Sequence, residues 1–164
     1  MVRVLRLWRI VLTGVFLFTA ASAARADITA FIGTNTTPES RLARGFAVGA
    51  GLLIVGFEFE YSASSENTTS PVAPALKSGM GNVLLQTPGA IGGFQPYFTT
   101  GAGIYHETLG ALEETGFGLN TGGGVKVSLA GPVRLRIDYR VFKLGDSALY
   151  SPAHRIYAGL NLKF

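Results

Sequence analysis

Residues 133–142 read VRLRIDYRVF. Val133, Leu135, Ile137, Tyr139 and Val141 fall on one side of an extended chain, and Arg134, Arg136, Asp138 and Arg140 fall on the other. Successive side chains of a strand point to opposite faces, so a period of two predicts a strand with one apolar and one charged face. The last ten residues, RIYAGLNLKF, repeat the pattern: Ile156, Ala158, Leu160, Leu162 and Phe164 stand against Arg155, Tyr157, Asn161 and Lys163. In GFEFEYS, Phe57, Phe59 and Tyr61 alternate with Glu58 and Glu60.

Working outward, weaker alternation predicts strands over residues 28–33, 44–52, 79–87, 94–105 and 115–129. That makes eight, each about as long as a membrane-crossing strand needs to be. The connections alternate in length. Long polar ones cover 34–43, 62–78, 107–114 and 143–154; short ones lie near 53–55, 88–93 and 130–132. Such alternation is expected of an up-and-down barrel with one rim outside the cell and the other in the periplasm. Closure also removes the unpaired edges along which strands this apolar would aggregate. The expected fold is all-β: an eight-stranded antiparallel up-and-down transmembrane β-barrel.

The charge balance separates a leader from this barrel. The chain has 164 residues, with 14 Lys and Arg against 10 Asp and Glu. Four of the 14, Arg3, Arg6, Arg9 and Arg25, lie in the first 26 residues, where no acid occurs; without them 10 face 10. The basic excess therefore belongs to the leader and gives no ground for a nucleic-acid partner. A positive start, the apolar run IVLTGVFLFTAASAA and the small residues Ala24 and Ala26 predict a secretory signal peptide over 1–26. Cleavage is expected between Ala26 and Asp27, leaving residues 27–164 as the barrel domain. There is no Cys, so the fold must hold without disulfides.

A soluble barrel around a ligand would turn the apolar faces inward, and a membrane barrel turns them outward. The weaker strands carry Gly, Asn, Thr, Gln and Ser on their polar faces, too few charges for a wet outer surface. Aromatic residues near predicted strand ends (Phe46, Tyr61, Phe94, Tyr105, Phe117, Tyr139, Phe142, Phe164) suit interfacial girdles. Both features predict apolar faces toward lipid.

GFEFEYS, QPYFTTGAGIY, GGGVKVSLAGPVRLRIDYRVF and RIYAGLNLKF together resemble the small outer-membrane β-barrel family of the outer-membrane protein A transmembrane-domain and opacity-protein type. The resemblance covers essentially all of 27–164. It implies the outer membrane of a Gram-negative-type bacterium, contact with outer-membrane lipid and lipopolysaccharide, and a monomer. It also implies an assembly signal in the last strand, read by the barrel-assembly machinery, which maps onto Tyr157, Leu160, Leu162 and Phe164. The periplasmic peptidoglycan-binding domain of the full-length family member has no counterpart before the chain stops at Phe164.

Chemistry is sparse. His106 and His154 fall at predicted loop edges, near Glu107 and near Asp146 and Ser151, with no arrangement of nucleophile, base and orienting acid. The His-x-Ser pattern of barrel deacylases is missing. Gly122-Gly123-Gly124 lacks the Lys-Ser/Thr of a phosphate loop and reads as close approach inside a tight wall. No enzyme, cofactor or metal site is expected.

The remaining constellation is the polar lumen. Glu58, Glu60 and Asp138 face inward against Lys126, Arg134, Arg136, Arg140, Arg155 and Lys163. Enclosed charges must be paired or hydrated. Glu58 and Glu60 are expected to pair across the bore with Arg134, Arg136 and Arg140, with Lys126 as an alternative partner. The expected function is a structural or surface-interaction role with a largely plugged lumen. A narrow porin-like channel or transporter is the alternative, and a lipid-modifying barrel enzyme a weaker one.

Overall fold

The computed structural model describes residues 24–69 and 72–164. They form β1 (Ala24–Asn35), β2 (Arg41–Leu52), β3 (Val55–Ser64), β4 (Ala75–Gln86), β5 (Phe94–Leu109), β6 (Leu112–Ala130), β7 (Val133–Lys143) and β8 (Ala153–Lys163). Each strand pairs antiparallel with its neighbour in sequence, and β8 pairs back on β1, closing the barrel. One line of partners runs Ala24, Leu52, Val55, Leu85, Phe98, Gly123, Tyr139, Ile156 and returns to Thr34. The circuit closes ten residues above its start, from 24 to 34. A stagger of this size tilts the strands by about 40° and leaves an interior that side chains can fill.

The three short turns lie where the sequence predicts them. Even 53–54, which lacks the usual turn residues, is a turn, with Leu53 in the left-handed region at φ 51°. The opposite rim differs from expectation. The connections there are 36–40, 65–74, 110–111 and 144–152, shorter than predicted. The segment 107–114 is no loop but the tip of a β5–β6 hairpin, turning at Gly110, whose φ of 59° suits a residue without a side chain. Strands that rise above the membrane are polar on both faces, so alternation fades while the ladder continues.

At the other end β1 begins at Ala24 rather than at 28, because β2 keeps offering partners down to Leu52. The expected cleavage point between Ala26 and Asp27 thus falls within β1. Residues 1–23 of the expected leader lie outside the described residues.

Apolar side chains turn outward, as the alternation predicts. Phe57, Phe98, Ile104, Phe117 and Leu160 are each more than half exposed, whereas Glu60, Arg136 and Arg140 have no exposure. A water-soluble barrel would reverse this, so the wall is one built to meet hydrocarbon. Two predicted girdle aromatics point inward instead. Tyr105 has the parity of Tyr97 on β5, and Phe142 that of Arg140 on β7; both are buried in the bore.

Candidate functional site

The lumen is made possible by residues that lack side chains. Gly122 and Gly124 face inward on β6, opposite Arg140 and Asp138 of β7. A Cβ at Gly124 would stand 2.5 Å from Tyr97 Oη, and one at Gly122 would stand 2.9 Å from Arg140 Cα. Tyr97 and Arg140 therefore use volume that any larger residue would take.

At mid-height three acids meet three arginines. Glu58 accepts from Arg136 through both carboxylate oxygens and from Arg140 Nη2 at 2.9 Å. Asp138 accepts from Arg136 Nη2 at 3.1 Å, from Arg140 Nε at 3.0 Å and from the Tyr97 hydroxyl. Glu60 takes Arg155 as a hydrogen-bonded partner. Its Oε2 lies 3.1 Å from Arg140 Nη1, an ion contact without hydrogen-bond alignment. Tyr97 Oη also accepts from Arg136 Nε at 2.8 Å.

Aromatic faces cover the remaining surface of the cations. Arg136 lies over the Tyr97 ring at 4.8 Å and Arg155 over Phe142 at 4.7 Å, while Phe31 and Tyr157 stack at 4.1 Å beside them. The group is neutral and cross-linked, the condition under which buried charge is tolerated.

Below this layer Lys126 and Arg134 do not reach Glu58 or Glu60, contrary to expectation. Both turn to Asp27: Lys126 Nζ at 2.6 Å and Arg134 Nη2 at 3.0 Å. Arg134 also donates to Asn161 at 2.7 Å and to Gln95 at 2.9 Å. The ten-residue stagger brings the start of β1 across the bore from these residues of β6 and β7. A hollow of about 130 Å³ opens at this end, lined by Asp27, Gln95, Lys126, Arg134 and Lys163 among others. Above the ionic layer, Leu76, Met80, Tyr105, Phe142, Leu144 and Ala153 form an apolar cluster. From the end with the short turns to the opposite end the bore is thus cationic, then ionic and neutral, then apolar.

The connections 36–40, 65–74, 110–111 and 144–152, opposite the short turns, are tied into a ring with the β5–β6 tip. Asn67 donates to Glu39 at 2.7 Å, Gly110 N–H to Glu66 at 3.1 Å, and Leu149 N–H to Glu107 at 2.7 Å. Thr37 closes it by donating to Pro152 O at 3.3 Å. Burial pushes the Glu107 carboxyl above the ordinary carboxylate range, against the pull of the Leu149 and Tyr150 N–H groups and of Arg41. Neither histidine is a loop residue. His106 is on β5, bonded to Thr115 Oγ1 at 2.7 Å; His154 is on β8, bonded to the Tyr139 hydroxyl at 2.6 Å.

In the last strand Leu160, Leu162 and Phe164 face outward, but Tyr157 faces the bore. The four residues of the expected assembly signal therefore divide between the two sides of the wall.

No protein-family model matches the sequence, and no curated protein matches it. Solved structures do. The N-terminal β-barrel domain of Pseudomonas aeruginosa OprF superposes with TM-score 0.66 at 16% identity, covering 85% of this chain and 97% of that one. This is the fold of the small eight-stranded outer-membrane barrels. Neisserial surface protein A gives 0.63 at 18% identity over 86% of this chain and 96% of that one. Ail, the attachment invasion locus protein of Yersinia pestis, gives 0.54 at 14% identity over 87% and 99%. The same fold also serves an outer membrane enzyme, PagL, so likeness of fold does not choose a role.

Proposed function

We propose that this chain is an integral protein of a bacterial outer membrane whose barrel is closed to solutes and holds a braced surface outside the cell. The observation that carries the reading is the stacked lumen. An ion moving through it would have to break a neutral network in which Glu58 and Asp138 each hold two arginines, then pass an apolar cluster. With the bore occupied, what the barrel offers its surroundings is its wall and the linked ring of outer connections. Ail, the attachment invasion locus protein of Yersinia pestis, has the same fold and lends weight to a surface-interaction role.

A narrow channel is the second reading. Arg140 touches Glu58, Glu60 and Asp138 at once, so its guanidinium can exchange partners, and the hollow beneath is already open to the periplasmic end. The test of placement is fractionation together with surface labelling. The protein should run as a heat-modifiable band from outer membranes, and an epitope inserted between Gly110 and Ala111 should be reached by antibody on intact cells. Recovery from the soluble periplasm, or an epitope reached only after lysis, would contradict the proposal.

A further inference from the structure

Outward-facing cations on a lipid-facing wall need a reason, because solvating an unpaired charge beside hydrocarbon is costly. Along one line of partners across the wall stand Ile32, Arg44, Ala63, Lys77, His106 and Thr115. Arg44 and Lys77 are both exposed on the outer side. They flank Ala63, and strands are spaced about 4.8 Å apart, so the two cations bracket a small-residue bay about 10 Å across. Among the described residues no acid forms an ion pair with either of them, although every inward cation near the ionic layer is paired.

The line one step below is apolar. It holds Phe46, Tyr61, Gly79 and Ile104, with the Phe46 and Tyr61 rings 5.8 Å apart. The bay therefore sits at the upper boundary of the hydrocarbon-facing band, on the side of the ring of outer connections.

We infer that Arg44 and Lys77 form a binding site for the phosphate of a phosphorylated outer-leaflet glycolipid, the lipid phase of lipopolysaccharide. Arg presents a planar fork suited to two phosphate oxygens, and Lys adds a mobile point charge from the far side. Ala63 leaves the floor of the bay open to the headgroup. Below it the acyl chains lie on Phe46, Tyr61 and Ile104, and Gly79 leaves a shallow place between the last two. The charge of the lipid complements the unpaired cations, and its apolar tails complement the wall beneath them. The inference rests on the outer-membrane placement proposed above.

The test uses the exported protein, extracted in mild detergent, stripped of lipid and mixed with bisphosphorylated lipid A; bound lipid is counted by native mass spectrometry. The double variant Arg44→Gln with Lys77→Gln should retain at least about tenfold less lipid than the wild type, the scale expected for two lost charge-assisted contacts. Lys143→Gln, an outward cation on β7, should retain it at the wild-type level. Lipid A freed of its phosphates should bind like a neutral phospholipid, and raising NaCl from about 50 mM to about 500 mM should release the phosphorylated form from the wild type. Equal retention by the double variant, by the dephosphorylated lipid or at high salt would overturn the inference. So would displacement by inorganic phosphate at concentrations equal to the lipid, which would mark a free-anion site. Heat-modifiable mobility of every variant reports barrel folding separately, and a wild type that fails it counts against the placement rather than the bay.

Discussion

Glu107 stands above the hydrocarbon-facing band, one position past His106 on β5, and its Oε2 holds the connection 144–152 by accepting from Leu149 N–H. Burial raises its pKa, so folding favours the neutral acid more than the unfolded chain does. A carboxyl whose folded pKa is raised contributes its stability below the unfolded value of about 4.3 and loses it as pH rises through the folded value. The wild type should therefore lose resistance to unfolding relative to Glu107→Gln, which stays neutral and can still accept from Leu149, as pH rises from about 4.3 through the folded value. Thermal unfolding of both proteins across that range checks it; a variant weaker than the wild type at the upper end would contradict it. Single residues were unevenly legible. The inward direction of Glu58, Glu60, Arg136, Asp138 and Arg140 followed from parity, which a strand enforces residue by residue. Asp27 as the partner of Lys126 and Arg134 did not. Its contacts depend on the stagger of the closed barrel, and parity along one strand carries no information about stagger.

Among the elements, β8 is the one whose loss would reach furthest, because it supplies the seam with β1. The seam runs from Asp27↔Lys163 to Asn35↔Arg155, and at its lower end the Phe164 ring faces outward at 70% exposure. Deleting Phe164 should lower the amount of folded, heat-modifiable barrel in the outer membrane while leaving export unchanged, as read by quantifying protein in the periplasm and membrane. Assembly at the wild-type level would contradict a role for this residue in the seam or in recognition by assembly factors. The strands with one apolar and one charged face, β3, β7 and β8, were plain in the sequence because burial imposes both choices at alternate positions. From the sequence alone the β5–β6 hairpin tip looks like a loop. Thr108, Glu107, Glu113 and Glu114 meet water on both sides there, and backbone pairing persists without leaving an apolar trace.

The whole molecule is a barrel whose bore is filled by its own side chains in three layers. Number and direction of the strands were readable from alternation and turn spacing, since each follows from local chemistry. The division of the bore was not, because the apolar upper layer draws on Leu76, Tyr105, Phe142 and Leu144, which meet only once the barrel closes. The ionic layer is the part on which closure to solutes depends. Replacing Glu58 and Glu60 by Gln leaves Arg136, Arg140 and Arg155 short of two of their three counter-charges. Breaking a buried pair on one side costs on the order of 3–5 kcal/mol, so the double variant should unfold at a lower temperature. The most direct measurement is conductance across a planar bilayer, wild type beside Glu58→Gln with Glu60→Gln. A closed bore predicts small or infrequent openings in the wild type and larger, more frequent ones in the variant, whose unpaired guanidinium groups are free to move aside and hold water. A large, steady conductance in the wild type, unchanged in the variant, would contradict the account.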